Sequence, residues 1–444
     1  MFRSLALSVL FCVAPAALAA DLLQTYRDAL ANDSVYGSAR ASRDAGLENL
    51  PQGLAQVLPT VGATAFTQDN DISISFRNTL GTQPQTRTGN TNGFTVTLTQ
   101  PLFNWQNIQV YKEAGFKAAQ AEATFGQATQ DLIVRVAQAY FDVLASQDNL
   151  AFIQAQKVAI SEQLAQAKRN FEVGTATITD THEAQARYDL ATSQEIAAQS
   201  DLEIKKRALQ QIVGKFPERL EPLRPKIELY PPQPNLMEDW ASAAANQGYS
   251  VRAQEAALEI ATREVERSRA GHLPTLNLVG NVGRNSSSLS ATAVANTPSD
   301  AINRNIGLQL AIPLYAGGNV SSVVRQAIAS REKAQQDLES SRRSAALSAR
   351  QAYLGVTNGM AQVKALEAAL VSSQSALDSN KLGYEVGVRI NIDVLNAQQQ
   401  VYSTLRDLSR ARYDTLLNSL RLKAAAGSLT DGDVEEVNRL LGTN

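Results

Sequence analysis

The chain repeats itself at an offset of roughly 213 residues. Leu58-Pro59-Thr60 returns as Leu273-Pro274-Thr275, Pro101-Leu102-Phe103 as Pro313-Leu314-Tyr315, and Phe171-Glu172-Val173-Gly174 as Tyr384-Glu385-Val386-Gly387. Solenoid units run to about 20–50 residues, so each half here must be a larger, multi-element unit that pairs with its twin. Between the halves, Pro217, Pro222, Pro225, Pro231, Pro232 and Pro234 place six of the fourteen prolines in one stretch, which cannot be helical. The expected organisation is a first repeat over residues 21–215, a Pro-rich linker over 216–235, a second repeat over 236–427 and a tail over 428–444.

Residues 1–20 read as an export signal: Arg3, an apolar stretch from Leu5 to Val13, then Ala17-Leu18-Ala19, with cleavage near Ala19 or Ala20. The one cysteine, Cys12, lies inside that segment without the small residue before it that a lipoprotein signal needs, so neither a disulfide nor a lipid anchor is expected. Nowhere downstream do 18 or more apolar residues run together, so a role in a membrane has to use strands. Charge is nearly balanced, 41 basic against 43 acidic residues, and Lys205-Lys206-Arg207 is the one tight basic run; nucleic acid is not an expected partner.

Most of the remaining sequence is Ala, Gln, Leu, Glu, Ser and Arg at helical spacing. Long helices are expected from about Asn104 to Phe171 and Asn319 to Tyr384, each about 100 Å at 1.5 Å per residue. Along the second, a stripe of small and apolar residues from Val320 through Leu338, Ala345, Ser348, Ala352 and Val356 to Leu377, interrupted by Arg331, repeats about every 3.56 residues. That value lies between a supercoiled and a straight helix. Shorter helices are expected near 21–56, 180–214, 236–270 and 393–426, so that two of them match one long helix in length.

Four strands are expected, near Val57 to Phe66, Phe94 to Leu102, Thr275 to Arg284 and Asn305 to Ile312, with proline at their junctions with the helices. In the second, Phe94, Val96 and Leu98 alternate with Thr95, Thr97 and Thr99, the apolar-out, polar-in period of a transmembrane barrel. The stretches Thr67 to Gly93 and Asn285 to Arg304, rich in Asn, Thr and Ser, read as exposed loops. Four strands cannot close a barrel, and a sheet in lipid must leave no bare edge, so closure requires oligomerisation. Two copies give eight strands and three give twelve. A soluble hairpin shows the same alternation, so a periplasmic coiled-coil adaptor or structural protein fits this pattern as well.

Each long helix ends in a turn where glycine is followed six residues later by aspartate: Gly174 and Asp180, Gly387 and Asp393. The glycines suit left-handed helix ends, and the aspartates suit N-caps, with Glu183 completing a capping box on Asp180. Arg389 has no counterpart in the first repeat, where Ala176 stands. The only histidines are His182 and His272, and no phosphate-binding glycine loop or metal-ligand spacing appears; no enzyme, cofactor or metal is expected.

The duplication, the Leu-Pro-Thr and Pro-Leu-Phe strand edges and the segment Tyr384 to Asn396 together resemble the TolC family, outer membrane factors of tripartite efflux pumps and type I secretion. The resemblance implies a mainly α fold with a transmembrane β part, in which a homotrimer completes a twelve-stranded barrel in outer-membrane lipid above a hollow cylinder of helices. It implies as partners a periplasmic adaptor (membrane fusion) protein and an inner-membrane ABC or RND transporter. It also assigns residues: Arg389 and Tyr384 hold the second hairpin to Thr179 and Asp180 of the first, within or between protomers, as a gate, and Asp393 forms a ring of three carboxylates at the constriction. Where the family often has a second aspartate this chain has Asn396, which implies a weaker anionic filter.

Overall fold

The computed structural model describes residues 20–78, 81–216, 219–225, 227–288 and 298–442. The expected export signal over 1–20 lies outside the described residues apart from Ala20. In chain order the elements are α1 (Leu22–Asn32), α2 (Ser34–Leu47), α3 (Asn49–Ala55), β1 (Thr60–Asn78), β2 (Gly81–Phe103), α4 (Trp105–Glu172), α5 (Ile178–Val213), α6 (Met237–Gln247), α7 (Tyr249–Arg269), a 3-10 turn (Ala270–His272), β3 (Thr275–Ser287), β4 (Ser299–Ala311), α8 (Asn319–Glu385), α9 (Asn391–Ala425) and α10 (Asp431–Asn438). None of the described helices is long and apolar enough to cross a membrane.

The long helices, α4 with 68 residues and α8 with 67, fall where the periodicity places them. On α8 the expected stripe is buried or half-buried except at Ser348, which is exposed, while Ala349 is fully buried. Steps of four then three from Ala345 satisfy the helix period as well as three then four, and the methyl group at 349 fits against Trp240, Ala244 and Val356.

Two expected helices are broken. The stretch 21–56 forms α1, α2 and α3. Its first break is at Asp33, where an extended backbone (ψ 117°) lets the carboxylate cap the Tyr36 N–H at 2.6 Å and take both guanidinium nitrogens of Arg135 at 3.0 and 3.2 Å. The stretch 236–270 breaks at Gly248 (ψ 137°), where a Cβ would lie 2.7 Å from the Ala244 carbonyl oxygen.

Two compact units divide the described chain, and both draw on both repeats: one comprises the described residues within 1–41, 124–252 and 340–444, the other those within 42–123 and 253–339. In the first, the core gathers Leu132, Val136 and Tyr140 of α4 with Leu22 and Tyr26 of α1, Leu209 of α5, Leu420 of α9 and Val434 of α10. The Tyr140 hydroxyl donates to the carbonyls of Ala20 and Glu221 at 3.2 and 2.9 Å, fastening the described part of the linker to the start of α1.

In the second unit the strands pair in the order β1-β2-β3-β4, all antiparallel. Strands start directly after Pro59 and Pro274, as expected. Pro101 does not close its strand; it lies inside β2, next to a register shift between Pro101 and Phe103. The expected loop Thr67 to Gly93 is instead the extension of β1 and β2, paired as far as Asn78 with Gly81. The sequence there still alternates, as in Ile72-Ser73-Ile74-Ser75, beneath its Asn- and Thr-rich composition. Most of Asn285 to Arg304 that is described is likewise strand.

Register sorts the side chains into two faces, because directly opposed residues point the same way. On one face Ala63, Val96 and Val282 stand in a row, beside Val61, Leu98, Gly280 and Ile306, with Leu278 and Leu308 beyond. On the other, Thr64, Thr95, Gly283 and Asn303 line up beside Gly62, Thr97, Asn281 and Asn305, with the Asn281 amide donating to Asn305 at 3.0 Å. Over these rows one face is mainly apolar, with Gln100, Arg284 and Arg304 as its exceptions, and the other is mainly polar. Ile302, Ile306, Leu308 and Leu310 of β4 are all exposed in the single chain, and β1 and β4 each keep one edge unpaired among the described residues.

Candidate functional site

The two turns at the ends of the long helices are built alike. After α4, Gly174 takes φ +80°, and the Thr175 and Ala176 N–H groups both donate to the Asn170 carbonyl at 2.8 and 3.2 Å. After α8, Gly387 takes φ +78°, and the Val388 and Arg389 N–H groups both donate to the Gly383 carbonyl at 2.8 and 3.0 Å. A side chain in this left-handed region costs roughly 1–2 kcal/mol, so glycine fixes where each helix reverses.

The caps differ from expectation. Asp180 is not the N-cap of α5: Thr177 is, and Asp180 at the third helical position closes a capping box, its Oδ2 accepting from the Thr177 N–H at 2.9 Å. Thr177-Ile-Thr-Asp180 and Asp180-Thr-His-Glu183 both carry the box pattern, and the short connection after Gly174 selects the first. In α9 the N-cap is Ile390, which offers no side-chain acceptor, and Asp393 is the third helical residue rather than the cap. Freed from capping, its carboxylate meets Arg389, Nη1 to Oδ2 at 3.6 Å.

Within one chain the residues expected to form the gate are not brought together as a set. Arg389 pairs with Asp393 and not with Thr179 or Asp180. Thr179 is exposed. Tyr384 does touch the first hairpin, but at Asn170, whose amide donates to the Tyr384 hydroxyl at 3.2 Å. Asp180 touches the second hairpin through its carbonyl, which accepts from the Asn391 amide at 3.3 Å.

Asn391 is a functional candidate the sequence reading passed over. It is 0% exposed, and its carbonyl oxygen accepts from the Gln163 amide at 2.5 Å while its NH₂ reaches Asp180. A second tie is Arg187 of α5, whose guanidinium donates to Gln399 at 2.6 Å and to Asn396 at 3.0 Å. The signal for Asn391 was phase: with Val394, Leu395, Gln398 and Val401 it falls on the buried face of α9. A polar residue on such a face needs a partner. Lys157 and Gln154 of α4 bind Glu195 of α5 at 2.8 and 3.1 Å, and these hydrogen bonds hold the Glu195 carboxyl below its usual range. Among the described residues no group of three or more His, Cys, Asp or Glu side chains is placed to hold a metal, and His182 is exposed.

Both repeats match one family description, "Outer membrane efflux protein", over residues 25–215 and 240–428. The chain belongs to the outer membrane efflux protein family. Similar members include outer membrane protein TolC of Vibrio cholerae, 34% identical over 99% of this chain and 97% of that one. Alkaline protease secretion protein AprF of Pseudomonas aeruginosa is 32% identical over 95% of this chain and 87% of its own length. Among solved structures, the Campylobacter jejuni CmeC outer membrane channel aligns with a TM-score of 0.79 at 17% identity, covering 95% of this chain and 90% of that one. VceC of Vibrio cholerae aligns at 0.77 and 19% identity, covering 91% and 96%. At these identities the structural likeness speaks for the fold alone. As a member of the family the chain is an outer-membrane channel protein of Gram-negative type and not an enzyme.

Proposed function

We propose that the protein is the outer-membrane exit duct of a secretion or efflux system, built from three copies and opened at its helical turns by an inner-membrane ABC or RND transporter and a periplasmic adaptor. The observation that carries this reading is the sheet: one mainly apolar face, one mainly polar face, and edges at β1 and β4 unpaired among the described residues. In lipid those edges must be paired. Three copies give twelve strands and a lumen lined by the Thr and Asn face, whereas the smallest barrels, of about eight strands, are filled by their own side chains. A periplasmic coiled-coil adaptor is disfavoured by the family match over both repeats.

In this reading the export signal over 1–20 is removed, and the repeats 21–215 and 236–427, joined by 216–235, each supply two strands and one hairpin. The turns at Gly174 and Gly387 form the periplasmic entrance. Arg389, with Tyr384, latches against Thr179 and Asp180 of a neighbouring protomer, and Asp393 contributes one carboxylate per copy to an anionic ring. The separation of Arg389 from Thr179 and Asp180 within one chain favours the latch between protomers over one within a protomer. Crosslinking and native mass measurement in mild detergent test the assembly: three copies with a conducting lumen are expected, and a stable monomer that inserts into bilayers overturns the reading.

A further inference from the structure

We propose that the cleft between α4, α5 and α9 beside Arg187 and Arg406 is a binding site for a free small oxyanion of the phosphate or sulfate class. Three helix faces converge there: Gln156 and Ile160 of α4, Arg187 and Gln194 of α5, Gln399 and Arg406 of α9. Beside the apolar Ile160, Leu190 and Ala191, the polar lining is Gln156, Arg187, Gln194, Gln399, Ser403 and Arg406, and no Asp or Glu lines the cleft. Among the described residues neither Arg187 nor Arg406 has a carboxylate within 4.0 Å.

The hydrogen bonds already present turn the remaining polar groups into donors. Arg187 gives its protons to the carbonyl oxygens of Gln399 and Asn396 at 2.6 and 3.0 Å. That fixes the Gln399 amide with its oxygen occupied and its NH₂ free. Arg406 donates to the Ser403 Oγ at 3.4 Å, so the hydroxyl keeps its own proton to donate. Two guanidiniums, an amide NH₂ and a hydroxyl therefore face one space with no acceptor charge among them, which is the complement of an oxyanion.

Size selects the class of ligand. The cavity is about 80 Å³, room for a few waters or one small ion, whereas drug-sized ligands need about 300–1,000 Å³. The cleft is thus too small for cargo. Arg406 also borders a larger cleft of about 360 Å³, but there Asp142, Asp148, Asp201 and Asp414 face Lys205 and Arg410, and mixed charge selects no anion.

Calorimetric titration of the purified full chain in detergent with inorganic phosphate, at constant ionic strength, tests the site. Saturable binding of one phosphate per chain is expected, weakened more than tenfold in both Arg187→Gln and Arg406→Gln and only in part in Arg187→Lys. Gln194→Glu is expected to abolish binding while the protein stays folded, because the new carboxylate pairs with the guanidiniums. No saturable heat in the unaltered protein, as when an acidic side chain of another chain fills the cleft, overturns the proposal. So does binding that both arginine substitutions leave intact. None of these outcomes depends on whether the assembly conducts.

Discussion

Arg389 and Asp393 form one ion pair within the chain, Nη1 to Oδ2 at 3.6 Å from the connecting turn to the first turn of α9, although the family resemblance gives one the role of latch and the other that of filter. The side chains are 58% and 34% exposed, so the pair is of the surface kind, worth about 0–1 kcal/mol. A contact that weak is readily exchanged. When Arg389 reaches to a neighbouring protomer, the Asp393 carboxylate loses its nearest cation, so latch and filter draw on the same guanidinium.

Substituting Arg389→Ser removes the latch and the cation beside Asp393 together. Single-channel conductance and cation preference should rise in the same variant, while trimer stability changes by less than about 1 kcal/mol. Asp393→Ala should lower cation preference. Planar-bilayer recordings check both, and a variant that conducts more without any change in selectivity would separate the two roles.

Asn391 ties the hairpins from inside. Asn391→Ala leaves the buried Gln163 amide without its acceptor, which costs about 1–3 kcal/mol. Asn391→Gln keeps the chemistry but not the length and should recover little. The variant is expected to lower the thermal midpoint and to increase hydrogen exchange at the ends of α5 and α9, with the sheet unaffected. Uniform exchange across the chain would mean that Asn391 acts only on global stability.

At the C-terminus, Lys423 binds Asp433 at 2.7 Å and Glu436 at 3.1 Å, and the Asp433 Oδ2 accepts from the Thr430 N–H at 2.7 Å. Burial pushes the Asp433 carboxyl up, but the bonds from Lys423 and Thr430 outweigh it, and the net position is below the usual range. A carboxyl lowered in the folded state adds stability above its unfolded value of about 3.9 and loses it as pH falls through the folded value. Asp433→Asn should therefore lower the thermal midpoint at pH 7, and the gap to the unaltered protein should narrow below about pH 4. A gap that stays constant down to pH 2 would show that the charge of Asp433 contributes nothing.

The long helices and the strand positions were legible because each is a long, regular pattern: a stripe along α8, and alternation at Phe94, Val96 and Leu98. The ends were less so. Asp180 and Thr177 both satisfy the capping pattern, and only the geometry after Gly174 decides between them. Ile72-Ser73-Ile74 carried a strand signal that composition obscured. The breaks at Asp33 and Gly248 depend on Arg135 and on the Ala244 carbonyl, partners that no local pattern names. At the candidate gate the turn glycines and Arg389 stood out as punctuation and as an unmatched charge. Asn391 and Arg187 did not, because their partners Gln163, Asn396 and Gln399 come from other helices and meet them only on folding.

Asn396 gives the last test, and the structure alters what its substitution should do. Its side-chain oxygen accepts from Arg187 at 3.0 Å, so an aspartate placed there meets a guanidinium already in position. Asn396→Asp should form an ion pair worth about 0–1 kcal/mol and leave cation selectivity nearly unchanged, rather than add a second anionic ring. Removing the cation releases the new charge. The double variant Asn396→Asp with Arg187→Gln should then raise cation selectivity and block by divalent cations above those of either single variant. Reversal potentials in a salt gradient measure this directly: a large selectivity gain in Asn396→Asp alone would show that Arg187 turns away from residue 396 in the assembled duct.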